Sequence, residues 1–448
     1  MQLTRGMFRP FISWTALTAA LFVLSCQPMR PHVDPPEDDG CGAVSSDTLT
    51  VHLFLDASGS MRGFVQGTQG VDYYSHLLES LELLAIKSPK PFVAKFYRFG
   101  GDVHEIQRNQ YYQARNRDGS FFTEPETRVD KVVESAGKAE QPHLVCVVTD
   151  LFQEDSDINL LTAAIRQSYL ARGLAVGMLG IRSSFCGKVS DVGPSRVRFS
   201  YSGLRPFYVL CLGRLADVTQ YLLDLQSDLS TFTHSKPPPE TRMVIYNKLL
   251  SKCITSQDAI LVRPARGVTR VHDIVQTTRK DDRILQFIVN QHRKDPPDAL
   301  FTATVKYEAV SFSLPFDGSK TTYEVIAEKY DKSAKRFVPA DEASGNFSVH
   351  ELRLQPESLT FRAALSDSTL KRGVIYKFRL VILPRPDAYA LPDWVKDWSF
   401  NINDVLGPIN GSRTFNLAEF LRSIGDINVR QIKPSLAHLD CYIDDEAN

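Results

Sequence analysis

Three oxygen-bearing residues alternate in the stretch Asp56-Ala57-Ser58-Gly59-Ser60. In an extended loop an alternating set turns to one side, so this stretch can offer one carboxylate and two hydroxyls to a common point. That set suits a hard divalent cation that prefers oxygen and keeps part of its water: Mg²⁺ first, with Mn²⁺ or Ca²⁺ as alternatives. A cation so weakly neutralised keeps its pull on an external carboxylate. The plainer reading is a capped turn, with Asp56 accepting backbone N–H groups and the serines filling turn positions.

The elements around this stretch must place it. Residues 49–55 are rich in β-formers and almost continuously apolar, the pattern of a parallel strand buried on both faces. Ser58, Gly59, Ser60 and Gly63 make a turn, and Tyr74, Leu77, Leu78, Leu81, Leu84 and Ala85 follow at helical spacing. The acid and hydroxyls thus fall at the carboxyl end of a strand, where open α/β sheets bind ligands. Residues 92–99 and 103–106 flank Gly100-Gly101 as a hairpin. Further on come an apolar strand at 144–148, a helical stripe at Ile158, Leu161, Ala164, Ile165 and Tyr169, strands at 175–181 and 207–212, and a helix over 215–225.

Asp56-Ala57-Ser58-Gly59-Ser60 after a hydrophobic strand resembles the first motif of the von Willebrand factor type A domain. The resemblance implies a Rossmann-like open, mostly parallel sheet with helices on both faces over residues 47–230. It also implies a metal-ion-dependent adhesion site completed by a Thr from a second loop and an Asp from a third. Thr149-Asp150, closing the strand 144–148, matches the third motif, with Leu151 where the family has Gly. Thr127, ahead of Val132-Val133, matches the second, and Thr123 competes with it. The expected metal ligands are therefore Asp56, Ser58, Ser60, Thr127 and, through water, Asp150. The family uses such a site mainly to capture an acidic side chain of a partner protein.

Enzyme schemes fit poorly. A phosphatase of the haloacid dehalogenase type needs a second carboxylate two residues after its aspartate, where this chain has Ser58. A nucleophile elbow needs Gly two residues either side of its serine, and Asp56 and Ser60 stand there instead. Binding rather than catalysis is expected, and the chain is read as no enzyme. Arg62 and Phe64, with Tyr111, Tyr112, Phe121 and Phe122 in the long segment between 107 and 127, either form a contact surface around a captured carboxylate or pack onto the sheet rim.

The chain has 448 residues, with 52 Lys+Arg against 52 Asp+Glu. That balance, with basic residues scattered rather than striped, disfavours nucleic acid as a partner. Arg5 and Arg9 precede an apolar run over 11–24, shorter than the roughly 20 residues of a membrane-spanning helix, so residues 1–25 read as a signal peptide. Val23-Leu24-Ser25-Cys26 resembles a bacterial lipobox, which implies lipidation of Cys26 and a membrane anchor. A lipid-anchored protein of the bacterial envelope is expected, at an outer membrane facing periplasm or surface, with 26–46 as a tether. Cys146 and Cys211 fall in apolar strands and read as small buried hydrophobes; no pairing is assigned, and no zinc spacing is present.

Residues 231–258 read as a linker with a short helix over 243–250. Residues 259–448 read as a β-rich, sandwich-like domain with strands at 260–262, 284–289, 300–307, 310–314, 323–327, 347–354, 358–365 and 374–383. Trp394, Trp398 and a helix over 417–424 are expected to cover one end of it. Two alternatives to partner capture stay open: a scaffold subunit of an envelope assembly whose metal is purely structural, and a hydrolase with an unrecognised site.

Overall fold

The computed structural model describes residues 49–444 apart from 69–70, 88–91, 139–142, 152–154, 193–196, 232–237, 247–259, 265–270, 280–281, 290–297, 307–317, 356–357, 367–368, 372, 389, 402–410, 429 and 431–436. The signal, Cys26, the tether and the expected strand at 310–314 lie outside the described residues. The chain opens with β1 (Leu49–Asp56), α1 (Arg62–Gln66), α2 (Tyr73–Lys87), β2 (Phe92–Phe99), β3 (Val103–Ile106), α3 (Arg108–Gln113), α4 (Val129–Gly137), β4 (His143–Thr149) and α5 (Asp155–Ser168). It continues through β5 (Ala175–Val192), β6 (Val197–Gly213), α6 (Leu215–Thr231) and β7 (Thr241–Tyr246).

These seven strands form one sheet in the order β3-β2-β1-β4-β6-β5-β7. β1 lies between β2 and β4, parallel to both. Its central place explains why its apolar run hardly alternates: both faces are covered. Val51, Leu53 and Leu55 join Leu77, Leu78 and Leu81 of α2 and Leu222 of α6 on one face. Phe54, Val145 and Val147 join Val132 and Val133 of α4 and Leu161 and Ile165 of α5 on the other. The molecule is thus α/β with helices on both faces of its central sheet.

Beyond β4 the sheet turns antiparallel. β5 and β6 are two arms of one long hairpin, and the second arm enters beside β4. The expected strands 175–181 and 207–212 are the inner thirds of these arms. Residues 182–192, rich in Ser, pair with 197–206 as an extension of the hairpin.

The helix expected over 243–250 is corrected. Residues 241–246 are β7, which pairs antiparallel with the open edge of β5. Val244, Ile245 and Tyr246 are β-favouring, and an unpaired sheet edge offers them backbone partners. The α/β unit therefore reaches past residue 230.

The following strands are β8 (Ile260–Pro264), β9 (Val271–Arg279), β10 (Asp282–Val289), β11 (Asp298–Lys306), β12 (Thr321–Asp331), β13 (Arg336–Pro339), β14 (Phe347–Gln355), β15 (Ser358–Ser366) and β16 (Ile375–Pro384). Then come α7 (Trp394–Trp398), β17 (Ser399–Phe400), β18 (Thr414–Phe415), α8 (Leu417–Ile427) and β19 (Ala437–Asp444). Among the described residues three further sheets result, β13-β12-β16-β19-β10-β9, β14-β15-β11-β8 and the two-stranded β17-β18. Phe347 of β14 stacks on Phe378 of β16, with ring centroids 6.0 Å apart. This matches the expected β-rich second half.

The segment 394–427 corrects a second expectation. It does not close the end of the β-rich part. Val395, Trp398, Leu417, Phe420, Leu421 and Ile424 belong to the second hydrophobic face of the α/β sheet, with Tyr208 and Val176. Tyr246 donates a hydrogen bond to the Leu421 carbonyl at 2.9 Å. The stripe at 417, 420, 421 and 424 makes α8 amphipathic, and the sheet face beside α5 buries it. No helix among the described residues is long and apolar enough to cross a membrane.

Candidate metal centre

β1 delivers Asp56 to the carboxyl edge of the sheet, and the loop that follows is strapped on two sides. Ala57 donates its backbone N–H to Phe99 at the end of β2, at 2.8 Å. Gly59 donates to the Glu124 carbonyl and Glu124 donates back to Ala57, at 3.2 and 3.0 Å. The Glu124 carboxylate is paired with Arg98 at 2.8 Å. Gly100 permits this approach, because a Cβ there would fall 2.3 Å from the Glu124 Cβ.

Asp56 is fully buried. Its Oδ1 accepts the Ser58 backbone N–H at 2.8 Å, so the bend of an Asx turn is present. The Ser58 and Ser60 hydroxyls lie 3.0 Å apart. The Thr149 hydroxyl donates to Asp56 Oδ2 at 2.7 Å, and the Thr127 hydroxyl stands 3.4 Å from both carboxylate oxygens. Asp150 follows directly, also buried. Segments 56–60, 127 and 149–150, far apart in the chain, thus meet at one place.

Between the two candidate threonines the geometry separates the roles. Thr127 stands at Asp56, two residues ahead of α4, while Thr123 accepts a hydrogen bond from Arg98 at 3.0 Å.

Burial pushes the Asp56 carboxyl up to about 7, and the nearby Asp150 charge adds to this; hydrogen bonds from Ser58 and Thr149 work the other way. A cation would relieve both causes. The donor set, two carboxylates and neutral hydroxyls, is all oxygen, which fits Mg²⁺ or a similar hard ion. Among the described residues no group of three His, Cys, Asp or Glu side chains is placed to hold a metal, so the hydroxyls are essential to any such site.

Two contributors were not singled out from the sequence. In the sequence Thr149 belongs to a motif but gives no sign of its contact with Asp56. Arg205, on β6, belongs to no sequence motif. Its Nη2 lies 3.5 Å from Asp150 Oδ2, its Nη1 donates to the Gly411 carbonyl at 3.0 Å, and its guanidinium lies over the Phe185 ring at 5.3 Å. Burial draws its pKa down while Asp150 holds it up. The available signal was an arginine entering a strand that is otherwise apolar from Pro206 onward.

The contact-surface reading of the aromatics is corrected. Phe64 is buried between Phe185 and Phe207, and Tyr111 is buried with its hydroxyl donating to the Leu78 carbonyl at 2.8 Å. Phe121 and Phe122 are buried edge to face. Tyr112 is half-buried, its hydroxyl bonded to Glu82. The long segment carries too much apolar area to stay in water and folds down on α2 and the sheet rim. Of the six residues, Arg62 alone is exposed, its Nη2 donating to the Asp118 carbonyl at 3.0 Å. Gly119, at φ +68°, keeps room for it, since a Cβ there would meet the Arg62 Nε at 2.4 Å.

Leu151 takes a left-handed backbone conformation, φ +48°, directly after Asp150. The turn that glycine commonly makes is made here by a leucine that is 3% exposed.

No protein-family model matches the chain, and no curated protein is similar to it in sequence. Among the solved structures similar to the chain, two are similar over 40% of it. One is an aerotolerance-related membrane protein from Bacteroides fragilis NCTC 9343 with multiple mutations to serines, at 12% identity, 87% of its own length and a TM-score of 0.22. The other is the conserved hypothetical protein BatB from Bacteroides thetaiotaomicron, at 14% identity, 86% of its length and a TM-score of 0.20. Likeness at this level carries no argument about activity.

Proposed function

We propose that this chain is a lipid-anchored protein of the bacterial cell envelope that captures a protein partner through a divalent cation. Asp56, Ser58, Ser60 and Thr127 hold the cation, Mg²⁺ or a similar hard ion, and Asp150 supports it through water. The observation that carries this reading is the meeting of these residues from three chain segments at the carboxyl ends of β1 and β4. When bound, the cation supplies an electrophile for an acidic side chain of the partner. The chain's own residues fix that position: Ser58 and Thr149 orient the Asp56 carboxylate, and the Glu124 strap holds the loop. No general base is assigned, and the reading is binding rather than catalysis.

A second reading has an observation of its own. Arg205 already compensates Asp150, as befits a centre that is a structural staple of an envelope scaffold. Asp56→Asn separates the two, because it removes the charge that binds metal while keeping the side chain's shape. Capture of partners crosslinked on intact cells should require Mg²⁺, be lost in EDTA and be lost in Asp56→Asn, while EDTA lowers the melting temperature only by the shift that release of a bound ion gives and leaves the chain folded. Equal capture with and without EDTA would overturn the adhesive reading.

A further inference from the structure

Cys146 on β4 and Cys211 on β6 face each other directly across an antiparallel pair of strands. Both are buried, and their sulfurs lie 3.1 Å apart. Opposed residues on antiparallel strands have Cα atoms about 4.5–5.5 Å apart, inside the span of about 4.4–6.8 Å that disulfides bridge. The sulfurs need approach by only about 1 Å to reach the bond length of about 2.05 Å. Cys186 faces Ser202, and Cys441 faces Phe378 and Leu285, so neither meets a cysteine across its strands.

We propose that Cys146 and Cys211 are joined by a disulfide, formed when the chain folds in an oxidising environment. The bond would tie the parallel half of the central sheet to its antiparallel half. It would also join β4, which leads to Asp150, to β6, which carries Arg205. The proposal does not depend on the metal reading.

The oxidant is a disulfide donor, either oxidised glutathione or the disulfide of a thiol oxidoreductase. One cysteine thiolate attacks a donor sulfur, giving a mixed disulfide and one donor thiolate. The second cysteine thiolate attacks the mixed disulfide at the protein sulfur and expels the second donor thiolate. The two protons given up by the cysteines end on the two donor thiols, and two electrons pass from protein to donor. Burial pushes the Cys146 thiol well up, so attack is suppressed once the strands have paired. Exchange therefore belongs to the folding chain rather than to the finished sheet.

The test starts from chain that has been reduced and unfolded, then refolded in a glutathione redox buffer, alkylated in denaturant, digested and mapped by mass spectrometry. The expected result is a peptide pair joined through Cys146 and Cys211 that disappears on reduction, with Cys186 and Cys441 alkylated. The oxidised protein should melt several degrees above its reduced form. Refolded Cys211→Ala should show Cys146 alkylated. Both cysteines alkylated in the refolded wild type, either one paired elsewhere, or the joined mass persisting in Cys211→Ala would overturn the proposal.

Discussion

Arg205 Nη2 stands 3.5 Å from Asp150 Oδ2, with each side chain 1% exposed. A buried carboxylate that loses its cation is costly, about 3–5 kcal/mol. Arg205→Met should therefore melt well below the wild type in EDTA. Added Mg²⁺ should recover more stability in this variant than in the wild type, because the ion then faces a carboxylate charge at Asp150 that Arg205 no longer offsets. Thermal denaturation with and without Mg²⁺ checks this; equal Mg²⁺ shifts in both proteins would show that Arg205 and the cation do not share the site.

Thr127 and Thr123 are four positions apart and differ in what they touch. Thr127→Val should weaken Mg²⁺ binding by roughly tenfold or more, about 1.4 kcal/mol. Thr123→Val loses only a hydrogen bond from Arg98 and should leave Mg²⁺ affinity within about twofold, well under 1 kcal/mol. Isothermal titration of both variants decides it, and the reverse order would move the ligand to Thr123.

Leu151 sets packing against backbone strain. A left-handed conformation costs a non-glycine residue about 1–2 kcal/mol, while truncating a buried leucine costs about 2–5 kcal/mol. Leu151→Ala loses the packing and keeps the strain; Leu151→Gly loses slightly more packing and is relieved of the strain. Both should be less stable than wild type, with the usual advantage of alanine over glycine cancelled. Chemical denaturation of the pair measures this, and alanine ahead by a full kcal/mol would show that the turn is unstrained.

His52 gives a pH dependence. Burial first, then His143 on β4 and Lys95 on β2, lower its pKa to about 4, and it stacks beside Tyr97 and Phe54. The unfolded chain takes up this proton near pH 6.5, so the unfolded state binds more protons between about 6.5 and 4. This contribution is intact above pH 6.5 and drains away as pH falls toward 4. With part of the ring in water, the loss amounts to about 1 kcal/mol. Melting profiles of His52→Phe should decline less steeply over that window than those of the wild type; parallel profiles would remove His52 as the cause.

The site was legible where its residues are contiguous. Asp56, Ser58 and Ser60 follow a continuous apolar run, and strand, turn and helix signals agree there. Arg205 was not legible, because what it pairs with is set by the long hairpin of β5 and β6, whose polar middle does not look like strand. The aromatics between 107 and 127 announced apolar area but not which side of the loop would face the sheet. The stripe of α8 announced burial without saying against what, and the answer lay about 200 residues upstream.

That placement of α8 sets the order in which the molecule can be finished. Asp56 lies in the first element described, yet part of one face of its sheet, beside α5, is covered by α7 and α8, and Arg205 gains its contact with the Gly411 carbonyl from the same late part of the chain. The loop that carries the motif comes early, and the sheet that positions it is covered late. A chain interrupted between Tyr246 and α7 would hold every expected metal ligand and still leave part of one face of its sheet open to water.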